Sequence, residues 1–186
     1  MAHVLLAYSS VYGYTRRICE FLKAELEGRG HRADVVDLAQ AGRDLARYDV
    51  IVIGASIRHG KHRPAVHDFI GEHRDLLAGR PGAFFSVNLV ARKADKNTPE
   101  TNPYVRKFLR RIPWQPRLVG VFAGNVDYPR YDAFDRTIIR LIMWLTDGPT
   151  DPQARIEFTD WTEVRRYAER ITALARGQAA AQGDSR

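Results

Sequence analysis

The sequence predicts an α/β domain: a doubly wound, five-stranded parallel sheet in strand order 2-1-3-4-5, with a long insertion at the fifth strand. Three observations lead there. Val4–Tyr8 and Asp49–Ala55 are short apolar runs without polar alternation, the mark of strands covered on both faces. Such runs alternate with segments whose apolar residues recur at helical spacing. The first strand enters the first helix through Ser9–Thr15, a short hydroxyl-rich turn.

In chain order, Ile18, Cys19, Leu22 and Leu26 line one face of the first helix, and Gly28-Arg29-Gly30 ends it. His31–Leu38 reads as the second strand and Asp49–Ala55 as the third. The loop Ser56–Arg63 leads to Pro64, which suits a helix start; Val66, Phe69, Ile70, His73 and Leu77 mark one inner face that Gly79 and Pro81 close. Gly82–Asn88 is the fourth strand, Val105–Ile112 a further helix and Leu118–Gly124 the fifth strand. Residues 125–154 break the alternation and form the insertion, with a helix over Ala133–Leu145. Arg155–Thr159 resumes as a short strand, and Asp160 with Glu163 forms a capping box for a last helix facing inward through Trp161, Val164, Ala168, Ile171 and Ala175. One domain spans residues 1–176, and the tail 177–186 reads as disordered.

Composition narrows the function. The chain has 186 residues, 45% hydrophobic and 27% charged, an ordinary globular balance with no apolar run long enough for a transmembrane helix. With no signal peptide and one cysteine, Cys19 on an apolar helix face, the setting expected is cytoplasmic. The 29 Lys and Arg against 22 Asp and Glu give +7, which favours an anionic partner. The arginines are scattered and helical recognition motifs are missing, so nucleic acid ranks last. His59, His62, His67 and His73 lie without carboxylate or thiolate at ligand spacing, so no metal site is expected.

The turn after the first strand points backbone N–H groups and the positive end of a helix dipole at one spot. Ser9, Ser10 and Thr15 add hydroxyls, and Gly13 lets a ligand approach the backbone. Neither G-x-G-x-x-G nor Gly-Lys-Ser/Thr is present, so a mononucleotide monophosphate fits best. In this sheet order the ligand crevice lies where strand order reverses, bordered by Ser9–Thr15, Ser56–Arg63 and Ser86–Arg92. A phosphate turn with two loops of small polar residues suits flavin mononucleotide (FMN).

Three segments carry a more specific signal. Gly54-Ala55-Ser56-Ile57-Arg58-His59-Gly60, Phe85-Ser86-Val87-Asn88-Leu89-Val90-Ala91-Arg92-Lys93, and Tyr128-Pro129-Arg130-Tyr131 with Leu141-Ile142-Met143 resemble the flavodoxin-like, quinone-dependent protoporphyrinogen IX dehydrogenases of bacteria. The likeness runs from Val4 to about Ala175. It implies FMN, with phosphate contacts from Ser9, Ser10, Tyr12, Gly13, Tyr14 and Thr15 and ring contacts from Ser56, Ile57, Arg58, Ser86, Val87, Asn88 and Leu89. It implies protoporphyrinogen IX as substrate and a membrane quinone, menaquinone or ubiquinone, as acceptor. The flavin carries the chemistry, so no catalytic triad or carboxylate pair is needed. Arg58, Arg92, Lys93 and Arg130, with Lys61 and Arg63, are candidate partners for the two propionates. The competing classes are a soluble flavodoxin-type electron carrier, against which +7 argues, and a flavin quinone reductase.

The insertion helix puts Phe134, Ile138, Leu141, Ile142 and Leu145 on one face, widened by Ile139 and Met143, with Arg136 and Arg140 opposite. At about 24 Å over sixteen residues the segment is too short to span a bilayer. It fits a helix lying apolar side down on an anionic membrane surface, at the inner face of the cell membrane; packing on its own domain or in a homo-oligomer is the alternative.

Overall fold

A computed structural model describes the chain apart from Arg43, Asp147 and residues 184–186, with backbone only for 178–183. The main sheet contains β1 (His3–Ser9), β2 (Arg32–Asp37), β3 (Val50–Arg58), β5 (Gly82–Val87) and β6 (Leu118–Phe122), parallel and in the order β2-β1-β3-β5-β6. This is the order read from the sequence. Short β4 (Lys61–His62) turns back on β3 as an antiparallel hairpin.

The unbroken apolar strands follow from cover on both faces. Val4 and Leu6 of β1 pack with Ile18, Cys19, Leu22 and Leu26 of α1 (Tyr14–Glu27) and with Val164, Ala168 and Ile171 of α6 (Trp161–Gly183). Leu5 and Ala7 face the opposite layer, with Val66, Phe69 and Ile70 of α2 (Pro64–Glu72), Leu77 of α3 (Arg74–Ala78) and Phe108 of α4 (Pro103–Leu109). Gly54 permits this layering, since a Cβ there would run into the ring of Phe85 on the neighbouring strand.

Several local expectations change. The helix read over Pro64–Leu77 is two, broken at His73, whose backbone leaves the helical region at φ −110° and ψ 17°. Among the described residues between β2 and β3 the only helical element is the 3₁₀ turn Leu45–Arg47. The loop Ser56–Arg63 holds the β3–β4 hairpin, with positive φ at His59 (48°) and Gly60 (75°), the twist that matches right-handed strands. Of the capping box, half forms: Asp160 Oδ1 accepts from the backbone N–H of Thr162 (2.8 Å) and Glu163 (3.3 Å), while the Glu163 carboxylate turns to Arg166. The last helix is described as far as Gly183; of the tail 177–186, read from the sequence as disordered, residues 184–186 lie outside the described residues.

The insertion departs most. Its closing strand β8 (Arg155–Glu157) does not rejoin the main sheet but pairs antiparallel with β7 (Asn125–Asp127) in a two-stranded ribbon. Between them lie the 3₁₀ turn Tyr128–Arg130 and α5 (Ala133–Leu145). Val126, Tyr128, Tyr131 and Met143 form a separate small core there.

Candidate functional site

The register places Ser9 beside Ala55 and Ser56 beside Val87, so the turns after β1, β3 and β5 meet at one sheet edge, the switch point of strand order. Ser56 Oγ donates to the Ser9 carbonyl (3.4 Å) across it.

The first turn is built for an anion. Gly13 takes the left-handed conformation (φ 82°) at the N-cap of α1, where it has no side chain to cap the helix, and the first turn has no acid. Thr15 N–H donates to Ser10 Oγ (3.3 Å), whereas the fully buried Thr15 Oγ1 has no hydrogen-bond partner among the described residues. An orphaned hydroxyl is costly unless a ligand satisfies it, and a phosphate oxygen fits here. Ser9, Ser10, Gly13 and Thr15 thus suit a flavin phosphate. Tyr14 faces elsewhere: its hydroxyl meets Thr159 Oγ1 (2.7 Å), and burial pushes its pKa up to about 12.

Tyr12 links the turn to the insertion. Its ring packs on Tyr131 (centroids 4.9 Å apart) and its hydroxyl donates to the Asp135 carboxylate; burial and that carboxylate push its pKa up to about 12. Asp135, 2% exposed, is a hub that the sequence reading missed. It also accepts from Arg58 (Nη2 to Oδ2 3.0 Å, Nε to Oδ1 3.4 Å) and contacts His59 Nε2 at 2.8 Å. Burial raises its carboxyl pKa, but the hydrogen bonds from Tyr12, His59 and Arg58 outweigh this and hold it below the ordinary value. Asp132, the N-cap of α5, fixes the residue by accepting the Asp135 N–H (2.7 Å). The signal was available: two carboxylates, three apart, open the insertion helix.

The ring-loop residues divide. Ser56, Ile57 and Leu89 are half-buried at the sheet edge, and Leu89 packs with Tyr12 against the insertion core. Val87 is buried on its strand. Ser86 and Asn88 turn into a buried relay instead: His62 Nε2 meets Ser86 Oγ (3.0 Å), Asn88 Nδ2 donates to the same oxygen (3.2 Å), and Asn102 Nδ2 donates to Asn88 Oδ1 (3.1 Å). Asn88 Oδ1 also accepts the Ala91 N–H (3.1 Å), so these side chains shape the third loop. His62 lies against Phe84 and Phe108, and burial lowers its pKa to about 3, which keeps it neutral.

The candidate propionate cations also sort by position. The Arg58 guanidinium is held by Asp132 and Asp135. Arg92 binds the end of α5, donating to the Thr146 carbonyl (2.7 Å) and Oγ1 (2.6 Å) and to the Leu89 carbonyl (3.0 Å). Arg130 lies over the phosphate turn: its Nη2 is 3.7 Å from where a Cβ on Gly13 would stand. Lys61 and Arg63 are exposed and Lys93 half-exposed near the hairpin and third loop. Among the described residues no three His, Cys, Asp or Glu side chains converge as metal ligands.

A family model described as a flavodoxin domain matches residues 5–153. Protoporphyrinogen IX dehydrogenase (quinone) of Leishmania major is 46% identical over 172 residues, covering 91% of this chain and 74% of that protein. The enzyme of the same name from Escherichia coli K12 is 43% identical over 171 residues, 91% of this chain and 94% of its own. Among solved structures, a flavodoxin from the domain Archaea superposes with a TM-score of 0.52 at 16% identity, covering 94% of this chain and 99% of its own. A short-chain flavodoxin associated with a non-canonical PDU bacterial microcompartment gives 0.53 at 10%, with the same coverage. The structural neighbours agree on the fold, and with the family match and the close relatives they show that this chain belongs to the flavodoxin domain family, alongside the protoporphyrinogen IX dehydrogenases.

Proposed function

We propose that the protein oxidises protoporphyrinogen IX to protoporphyrin IX with bound FMN and passes the electrons to a membrane quinone. The observation that carries this is the 46% identity to a dehydrogenase of that name over 91% of this chain. About 17 of the 186 residues are left outside, fewer than the segment 125–154 contains, so the likeness enters the insertion and is not confined to the flavodoxin frame.

Bound FMN supplies hydride acceptance from the reduced macrocycle and electron delivery to quinone. The residues here bind and orient. Ser9, Ser10, Gly13 and Thr15 hold the phosphate at the α1 N-terminus. Ser56, Ile57 and Leu89, with the backbone of residues 56–58 and 86–89, border the ring, and Asn88 fixes the third loop. Arg58 and Asp135 tie the β3–β4 hairpin to α5. With Arg58 and Arg92 engaged within the protein, Lys61, Arg63 and Lys93 are the cations that remain for the propionates.

The insertion supplies a route to quinone. Phe134, Leu141, Ile142, Trp144 and Leu145 of α5 are exposed, Trp144 to 68%, beside half-buried Ile138. One unpartnered face this apolar suits the interfacial region of an anionic bilayer, and the net charge of +7 favours the same surface. No helix among the described residues is long and apolar enough to cross a membrane. Anaerobic turnover of protoporphyrinogen IX by the FMN-loaded chain, with and without quinone, tests the assignment.

A further inference from the structure

We infer that Arg130, carried by the insertion, is the charge partner of the flavin phosphate rather than a substrate contact. This rests on the FMN reading above and adds the residue that neutralises the phosphate. The turn after β1 contains hydroxyls and a helix N-terminus but no cation of its own between Ser9 and Thr15. Helix N-terminal N–H groups and a dipole suit an anion; a guanidinium adds a forked, always-charged donor.

Arg130 is delivered to that turn by a rigid support. Its backbone lies in the 3₁₀ turn Tyr128–Arg130. On one side Tyr128 is fully buried, its hydroxyl donating to the Pro149 carbonyl (2.7 Å). On the other, Tyr131 is buried against Tyr12, its hydroxyl donating to the Asn125 carbonyl (3.2 Å). Arg136 ties both ends together, donating to the carbonyls of Tyr128 (3.2 Å) and Tyr131 (3.1 Å). The side chain leaving this support places Nη2 against Gly13, the N-cap of α1.

Two independent features point to an anion between them. Of the neighbouring carboxylates, Asp132 pairs with Arg58 (3.5 Å) and Asp127 Oδ1 lies 3.5 Å from Arg155 without a hydrogen bond, and Arg130 enters no ion pair among the described residues. In the same turn Thr15 Oγ1 is fully buried and has no partner among the described residues. A guanidinium without an ion pair and an orphaned hydroxyl at one helix N-terminus are both satisfied by a single phosphate group.

The test compares FMN with riboflavin, which lacks the phosphate, by quenching of flavin fluorescence on the full-length protein stripped of flavin. Arg130→Ala should raise the Kd for FMN about 10- to 100-fold, the loss of one charge-assisted contact, and leave riboflavin unchanged. Arg130→Lys should recover part of the difference. Because Arg130 is exposed, the melting temperature of both variants should match wild type. An equal loss for both ligands, or no loss for either, overturns the assignment. A wild-type protein that binds neither ligand overturns the flavin reading itself, and the assignment with it.

Discussion

The Tyr12 hydroxyl donates to the Asp135 carboxylate, joining the turn after the first strand to a helix 123 residues later. That bond, with those from Arg58 and His59, seats the insertion on the flavodoxin frame. It also anchors His59, which holds a left-handed backbone that costs a non-glycine residue about 1 kcal/mol. Asp135→Asn keeps the shape and removes the charge. It should cost about 2 kcal/mol in urea unfolding, the worth of hydrogen bonds to a buried charged group. It should also weaken FMN binding, since Tyr12 and Arg130 lose a fixed support. Unchanged stability and affinity would show that the insertion is seated by its apolar contacts alone.

The same carboxyl has a signed pH dependence. Its folded pKa lies below the unfolded one, so its contribution is complete above the ordinary carboxylate range and fades as pH falls through the depressed folded value. His62 acts at higher pH. The unfolded imidazole titrates near 6.5 and the folded one near 3, so stability is lost as pH drops through this window. Between pH 6 and 4 the wild type should lose about 1.4 kcal/mol per pH unit more than His62→Gln, one proton's worth. Equal slopes would mean that His62 takes up its proton in the folded state.

On α5 the decisive contrast is between lipid and protein. Replacing Ile138, Ile142 and Leu145 with Ser should abolish co-sedimentation with anionic vesicles and leave the melting temperature nearly unchanged, because Ile142 and Leu145 are exposed and Ile138 only half-buried. Wild-type protein that remains in the supernatant at low salt, with the triple variant dissociating a dimer, would make the face a contact between copies.

The sheet order was legible because both-face burial writes itself as unbroken apolar runs, and the ligand edge follows from strand order. The turn proposed to hold the phosphate stands out in the sequence for a similar reason: a strand, hydroxyls, glycine and a helix start lie within a few consecutive residues. What sequence could not show is direction. Ser86 and Asn88 sit in the expected loop, but their side chains complete a relay with His62 and Asn102. Arg58, Arg92 and Arg130 look alike as basic residues near the crevice, yet one meets Asp135, one the carbonyl end of α5 and one Gly13. These differences depend on where α5 docks, and that is set by long-range pairs such as Tyr12 with Asp135. The failure of β8 to rejoin the main sheet has the same origin, since a three-residue strand carries too short a pattern to specify its partner.

The central claim is tested most directly by anaerobic oxidation of protoporphyrinogen IX, followed by porphyrin fluorescence, using the full-length FMN-loaded protein. The account predicts flavin reduction with at most one porphyrin formed per three flavins without acceptor, since the oxidation releases six electrons and each FMN accepts two, and continuous turnover when a quinone is added. Flavin that stays oxidised in the presence of protoporphyrinogen, yet is reduced by a nicotinamide and reoxidised by quinone, would contradict it and make the protein a quinone reductase.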